Sequence, residues 1–174
     1  MISTSTDVTI ELSKKVPAKA GAVAVLTARE GPPQGLDLLP QSDRAAVQAL
    51  VDVKALPARP NEIASQIVQQ RPMHRVWIVG LGESKKISAQ SLREAGAAVA
   101  KHARRHKLEH VALIVPDLLQ HGGPGETSYQ STLEALVTGF LLGSFTFREY
   151  KGSASKIDKQ TPSQARLTLV ASNT

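Results

Sequence analysis

The sequence predicts an α/β fold in which helices cover the faces of a mixed, mostly parallel sheet. Three observations carry the prediction. Gly21–Thr27 and Val111–Val115 are short, nearly continuous apolar runs, the pattern of strands buried on both faces. From residue 75 to residue 115 the order is strand, glycine turn, amphipathic helix, strand, which is a parallel βαβ unit. The length of 174 residues suits a single domain, 1–174, with enough chain to build its own core.

The elements follow in order. Val8–Leu12 alternates apolar and polar residues and predicts a half-buried strand. After the buried strand Gly21–Thr27, Gly31-Pro32-Pro33-Gln34-Gly35 punctuates the chain as a loop. Ser42 or Asp43 caps a helix whose apolar positions Ala46, Val47, Leu50 and Val51 keep the 3.6-residue period, and Pro57 and Pro60 end it. Ile63–Gln70 fits a strand or a short helix, with strand preferred. Arg75–Gly82 is a buried strand running into a glycine turn. Ser88 or Ser91 caps the next helix, where Leu92, Ala95, Val99 and Ala103 form one apolar stripe. Pro116 stops the strand Val111–Val115, and His121–Gly125 is a loop. Thr127 or Ser131 opens a further helix with Leu133, Leu136, Val137, Phe140 and Leu141 on one face; Ser131 and Glu134 have capping-box spacing. A polar, basic stretch from Lys151 to Gln164 leads to a last strand, Arg166–Ala171.

Composition narrows the function classes. Cysteine is absent, so there is no disulfide framework and no thiolate nucleophile or cysteine metal cluster. No apolar run approaches the roughly 20 residues of a membrane helix. Met1–Ser5 lacks the basic start and apolar stretch of a secretory leader. The expectation is a soluble cytoplasmic protein with no membrane partner. The net charge of +6 raises the chance of nucleic-acid contact. Aromatic residues make up only 3% of the chain, too few for a base-stacking platform.

Gly80-Leu81-Gly82 follows a strand and precedes a helix, the context of a phosphate cradle. Gly80, Gly82 and Lys85 are therefore candidate anion-binding residues. The dinucleotide fingerprint lacks its third glycine, which Lys85 replaces, and a phosphate loop fails because Ile87 holds the hydroxyl position. A structural turn is the simpler reading. His102, His106 and His110 are four residues apart, and the first two share a helix face. Zinc there would want a third ligand and would sit among Lys101, Arg104, Arg105 and Lys107, so a solvated helix end is the simpler account. Those four cations are also the candidate contacts for a DNA backbone, set against the plainer reading of a solvated charge run. No Gly-x-Ser-x-Gly elbow occurs, and Asp117, just beyond a buried strand, has no evident partner. Read this way, the residues supply a fold and a basic surface but no catalytic constellation.

Three blocks carry a resemblance. Val76-Trp77-Ile78-Val79-Gly80-Leu81-Gly82 is followed by Leu92-Arg93-Glu94-Ala95-Gly96-Ala97-Ala98. Then comes Ala135-Leu136-Val137-Thr138-Gly139-Phe140-Leu141-Leu142-Gly143-Ser144-Phe145-Thr146-Phe147-Arg148-Glu149-Tyr150-Lys151. In that order and spacing they resemble the N-terminal domain of the leucine aminopeptidase (cytosol aminopeptidase) family, over roughly Val8 to Ala171, and the last block is the most specific. The resemblance implies a three-layer α/β/α domain related to macro domains. It implies a larger C-terminal catalytic domain as partner, where two divalent metal ions, zinc or manganese, support removal of N-terminal residues from peptides, leucine preferred. It also implies assembly as a hexamer, and DNA contact in some bacterial relatives. The family's metal-ligand motifs, which resemble Asn-Thr-Asp-Ala-Glu-Gly-Arg and Phe-Asp-Ser-Gly-Gly, do not occur in this sequence. No catalytic or metal-binding residue is therefore carried over, and this chain by itself is expected to be inactive. The alternatives are a macro-like nucleotide or ADP-ribose binding module above Gly80–Gly82, and DNA contact through the Lys101–Lys107 segment.

Overall fold

A computed structural model describes residues 7–57, 59–69, 72–115, 129–145 and 164–171. Six strands, β1 (Asp7–Ser13), β2 (Ala22–Thr27), β3 (Ile63–Val68), β4 (His74–Gly80), β5 (His110–Ile114) and β6 (Gln164–Val170), form one sheet. Their order is β1-β6-β5-β2-β4-β3. Every pairing is parallel except β3 with β4, which is antiparallel. The helices are α1 (Gln41–Asp52), α2 (Ala89–Arg105) and α3 (Tyr129–Ser144).

Side-chain alternation along the strands divides the core in two. Val23, Val25, Val76, Ile78 and Ile114 point to the face that α1 covers with Val47 and Leu50. Ala22, Ala24, Leu26, Trp77 and Leu113 point to the opposite face, under Leu92, Val99, Leu136 and Phe140 of α2 and α3. The result is the three-layer α/β/α arrangement. β2 lies second to none in depth: all six of its residues are buried, which explains its unbroken apolar run. β1, at the sheet margin, alternates as expected through Val8 and Ile10, but the alternation breaks at Leu12, which is 51% exposed.

α2 and α3 touch through glycine. A Cβ on Gly96 would collide with the carbonyl of Leu136, and one on Gly139 with the carbonyl and Cα of Arg93. One on Gly143 would lie 2.7 Å from the Ala97 carbonyl oxygen. The backbones approach to a distance at which no side chain fits between them.

Several expectations need correction. α1 starts at Gln41 with Pro40 as N-cap and no side-chain cap, so neither Ser42 nor Asp43 caps it. Asp43 lies in the first turn, where a carboxylate suits the helix dipole. The helix also stops ahead of Pro57 and Pro60. Lys54, at φ 56°, takes the left-handed conformation, and its N–H donates to Val51 O while that of Ala55 donates to Leu50 O. That is a Schellman ending with lysine in the usual glycine position. Ser88 caps α2 as expected, in a reciprocal box with Ser91. Ser131 sits inside α3 rather than capping it, and Glu134 accepts from Gln130 Nε2 at 2.9 Å. Leu141 is not on the buried face: it is 42% exposed, with Leu142 and Phe145 also exposed, because α3 turns Leu136 and Phe140 inward instead. Thr127, Asp117, the His121–Gly125 loop and residues 151–163 lie outside the described residues.

Candidate functional site

The carboxyl end of β4 is built by the segment that precedes β3. Gly80 N–H donates to Glu62 O at 2.9 Å, and Asn61 N–H donates to Gly80 O at 2.8 Å. This brings Arg59 and Pro57 so near that a Cβ on Gly80 would lie 2.5 Å from the Arg59 carbonyl oxygen. Gly82 has φ +81°, and a Cβ there would also strike Pro60. Both glycines are thus demanded by the turn and its neighbours. The short 3-10 turn Ser84–Lys86 follows. Its leading amide, Ser84 N–H, donates to Glu30 Oε2 at 2.8 Å, and this hydrogen bond is the main reason the Glu30 carboxyl lies below its usual range. A carboxylate of the protein itself takes that donor.

Beside the turn lies a cavity of about 470 Å³ lined by Arg29, Arg59, Gly82, Lys86, Ser88 and Glu94, among others. Of the three expected anion-site residues, Gly82 is in its wall; Lys85 is exposed and outside it, and Gly80 is buried behind it. Arg29 and Arg59 carry no local sequence signal and were not expected there. They line one cavity because β2 and β3 flank β4 in the sheet.

The basic segment at the end of α2 is divided by helix geometry. Lys101 and Arg105, four residues apart, line a cavity of about 280 Å³ with Asn61 and His102. Arg104 turns instead toward a small cavity beside Phe140 and Ser144. Lys107, at φ 57°, terminates the helix: its N–H donates to Arg104 O and that of Leu108 to Ala103 O. The four cations do not share one face.

His102 departs from the expected solvated helix end. Its ring meets Trp77 edge-on at 4.7 Å between centroids, and His106 lies 4.6 Å away. Trp77 Nε1 and His102 Nε2 are buried and without a hydrogen-bond partner. Burial first, then His106, Arg105 and Arg75, pull the His102 pKa down from 6.5 to about 4. Burial is also the leading cause of lowered values at His106 and His110. Such histidines bind protons more readily in the unfolded chain, so stability rises with pH across this window. Urea midpoints are expected to fall as the pH drops from 6.5 toward 4. His102→Gln should fall less than the wild type over the same range, since carboxylate titration is common to both; equal slopes would refute this.

A further polar pair sits at the opposite end of the sheet. Asp43 is 1% exposed, and its Oδ1 accepts from His74 Nε2 at 2.9 Å and from Ser42 Oγ at 3.0 Å. His74 Nδ1 faces Pro72 O at 3.1 Å. Sequence reading missed this pair, because a lone aspartate in a helix and, 31 positions on, a lone histidine at the first residue of β4 give no spacing to notice. Among the described residues no three histidine, aspartate, glutamate or cysteine side chains gather as metal ligands. No helix among these residues is long and apolar enough to cross a membrane.

Fold and site together define an α/β/α domain with a crevice at the carboxyl edge of its sheet. A sequence model of the cytosol aminopeptidase family, N-terminal domain, matches residues 22–154. The chain belongs to the cytosol aminopeptidase family, of which it represents the N-terminal domain. A probable cytosol aminopeptidase of Roseiflexus castenholzii is 31% identical over 100 residues, covering 58% of this chain and 19% of that protein. One from Aquifex aeolicus is 28% identical over 138 residues, covering 79% and 26%. The chain thus spans about a fifth to a quarter of these relatives' length. Among solved structures, a mutant of tomato leucine aminopeptidase superposes with TM-score 0.60 at 17% identity, over 98% of this chain and 34% of that one. The macrodomain of Mycobacterium tuberculosis DarG gives 0.57 at 10% identity, over 94% and 98%. These likenesses show the fold.

Proposed function

We propose that this chain is the non-catalytic assembly and regulatory domain of a metal-dependent leucyl aminopeptidase. In this reading its partner is a C-terminal catalytic domain. That domain holds two zinc or manganese ions, assembles with this one into a hexamer and removes N-terminal residues, leucine preferred, from peptides in the cytoplasm. The observation that carries the reading is the match of a family model built on the N-terminal domain across residues 22–154. The short span of the relatives that the chain covers is consistent with catalysis residing elsewhere in them. DNA contact has less support, because Arg104 turns away from Lys101 and Arg105.

The test is turnover. The purified 174-residue chain, given leucyl p-nitroanilide with manganese or zinc, is expected to release no p-nitroaniline. Release that a chelator abolishes would place metal chemistry in this chain and overturn the reading.

A further inference from the structure

Past the carboxyl ends of β2 and β4, neighbours in the sheet, the chain departs toward opposite faces. The loop after β2 leads to α1 on one side, and the turn after β4 leads to α2 on the other. Such a switch point in an open α/β sheet leaves a crevice between the diverging loops, and ligands collect there. The cavity of about 470 Å³ stands at this switch. Its wall draws cations from three separate segments: Arg29 after β2, Arg59 before β3 and Lys86 after β4.

The nearby carboxylates already have work. Glu83 Oε2 holds Lys86 Nζ at 2.9 Å. Glu94 accepts from Gln90 Nε2 at 2.9 Å and from Asn61 Nδ2 at 3.2 Å. Glu30 takes the Ser84 amide, and Glu62 Oε2 takes the Arg59 amide at 3.2 Å. Glu30 lies near Arg29 and lends it some counter-charge. The Arg29 and Arg59 guanidinium groups, however, form no ion pair or hydrogen bond with any described residue. Ser88 and Ser91 cap one another at the start of α2, so the cationic groups left over for an anion are the two arginine side chains. A guanidinium offers a planar fork of donors that matches an oxyanion two bonds at a time.

We infer that this cavity binds a small ligand through a dianionic oxyanion group, a phosphate monoester or a dicarboxylate, held between Arg29 and Arg59. Glu94, on the α2 wall, has lone pairs left for a hydroxyl of the same ligand. This goes beyond the assembly role and is independent of it, since the binding is measured on the chain without peptide turnover.

Isothermal titration with inorganic phosphate and, separately, succinate tests it. Saturable binding of at least one probe is expected, weakened about tenfold or more by Arg29→Ala and by Arg59→Ala. Binding of phosphate assigns the phosphate class, and binding of succinate alone assigns the dicarboxylate class. A Lys101→Ala/Arg105→Ala double variant, altered on a different cavity, should bind within about twofold of the wild type. All of these side chains are exposed, and thermal melts verify that each variant is folded. No saturable heat from either probe up to about 10 mM overturns the inference. So does binding that survives both arginine substitutions, or that falls equally in the double variant through diffuse charge.

Discussion

Gly139→Ala is expected to lower the unfolding free energy by about 3 kcal/mol, at the upper end of what overpacking usually costs. The added methyl would fall on the backbone of Arg93, which cannot rotate out of the way as a side chain could. Relief requires α3 to withdraw from α2, and that loosens the packing of Leu136 and Phe140, both fully buried. Gly31→Ala is the control, because nothing lies within 4 Å of its would-be Cβ. It should change stability by no more than about 0.5 kcal/mol. Urea denaturation of both variants decides the matter, and a Gly139→Ala midpoint equal to that of the wild type would contradict the close helix contact.

His74→Ala should cost about 3 kcal/mol, because it strands a buried carboxylate. Asp43 Oδ2 has no partner even in the intact chain, so removing His74 leaves Ser42 as the side-chain donor to this group. Replacing both residues, as Asp43→Leu with His74→Leu, removes the buried charge together with its need for a partner. The double variant should therefore be more stable than His74→Ala. Urea midpoints of the single and double variants test the coupling. A loss below about 1 kcal/mol for His74→Ala would mean that water serves Asp43 equally well.

The strands and helices were largely legible because burial leaves a periodic trace. β2 and β5 announce themselves as apolar runs, and the stripe Leu92, Ala95, Val99, Ala103 is where α2 meets the sheet. Element ends were less legible, since they depend on backbone conformation. Lys54 and Lys107 hold left-handed angles that lysine does not advertise, and α1 begins after a proline with no side-chain cap. The late block Ala135–Lys151 carries the most specific part of the family resemblance. Two of its glycines, Gly139 and Gly143, prove to be where α3 lies against the backbone of α2. Of the crevice, Gly82 could be read from sequence, but Arg29 and Arg59 could not. Each is a lone cation in a loop, and the placing of β2 and β3 on either side of β4 brings them to one cavity.

β1 pairs in parallel with β6, and Thr168 Oγ1 donates to Glu11 Oε2 across a sequence separation of 157. This margin of the sheet can be completed only when nearly the whole segment has left the ribosome. Until then the nascent β1 has no strand to join, and Val8 and Ile10, which pack against the core in the folded domain, remain open to chaperones or to other chains. Contacts that span so much sequence close slowly, so the seam between first and last strands is expected to close late in the folding of the domain.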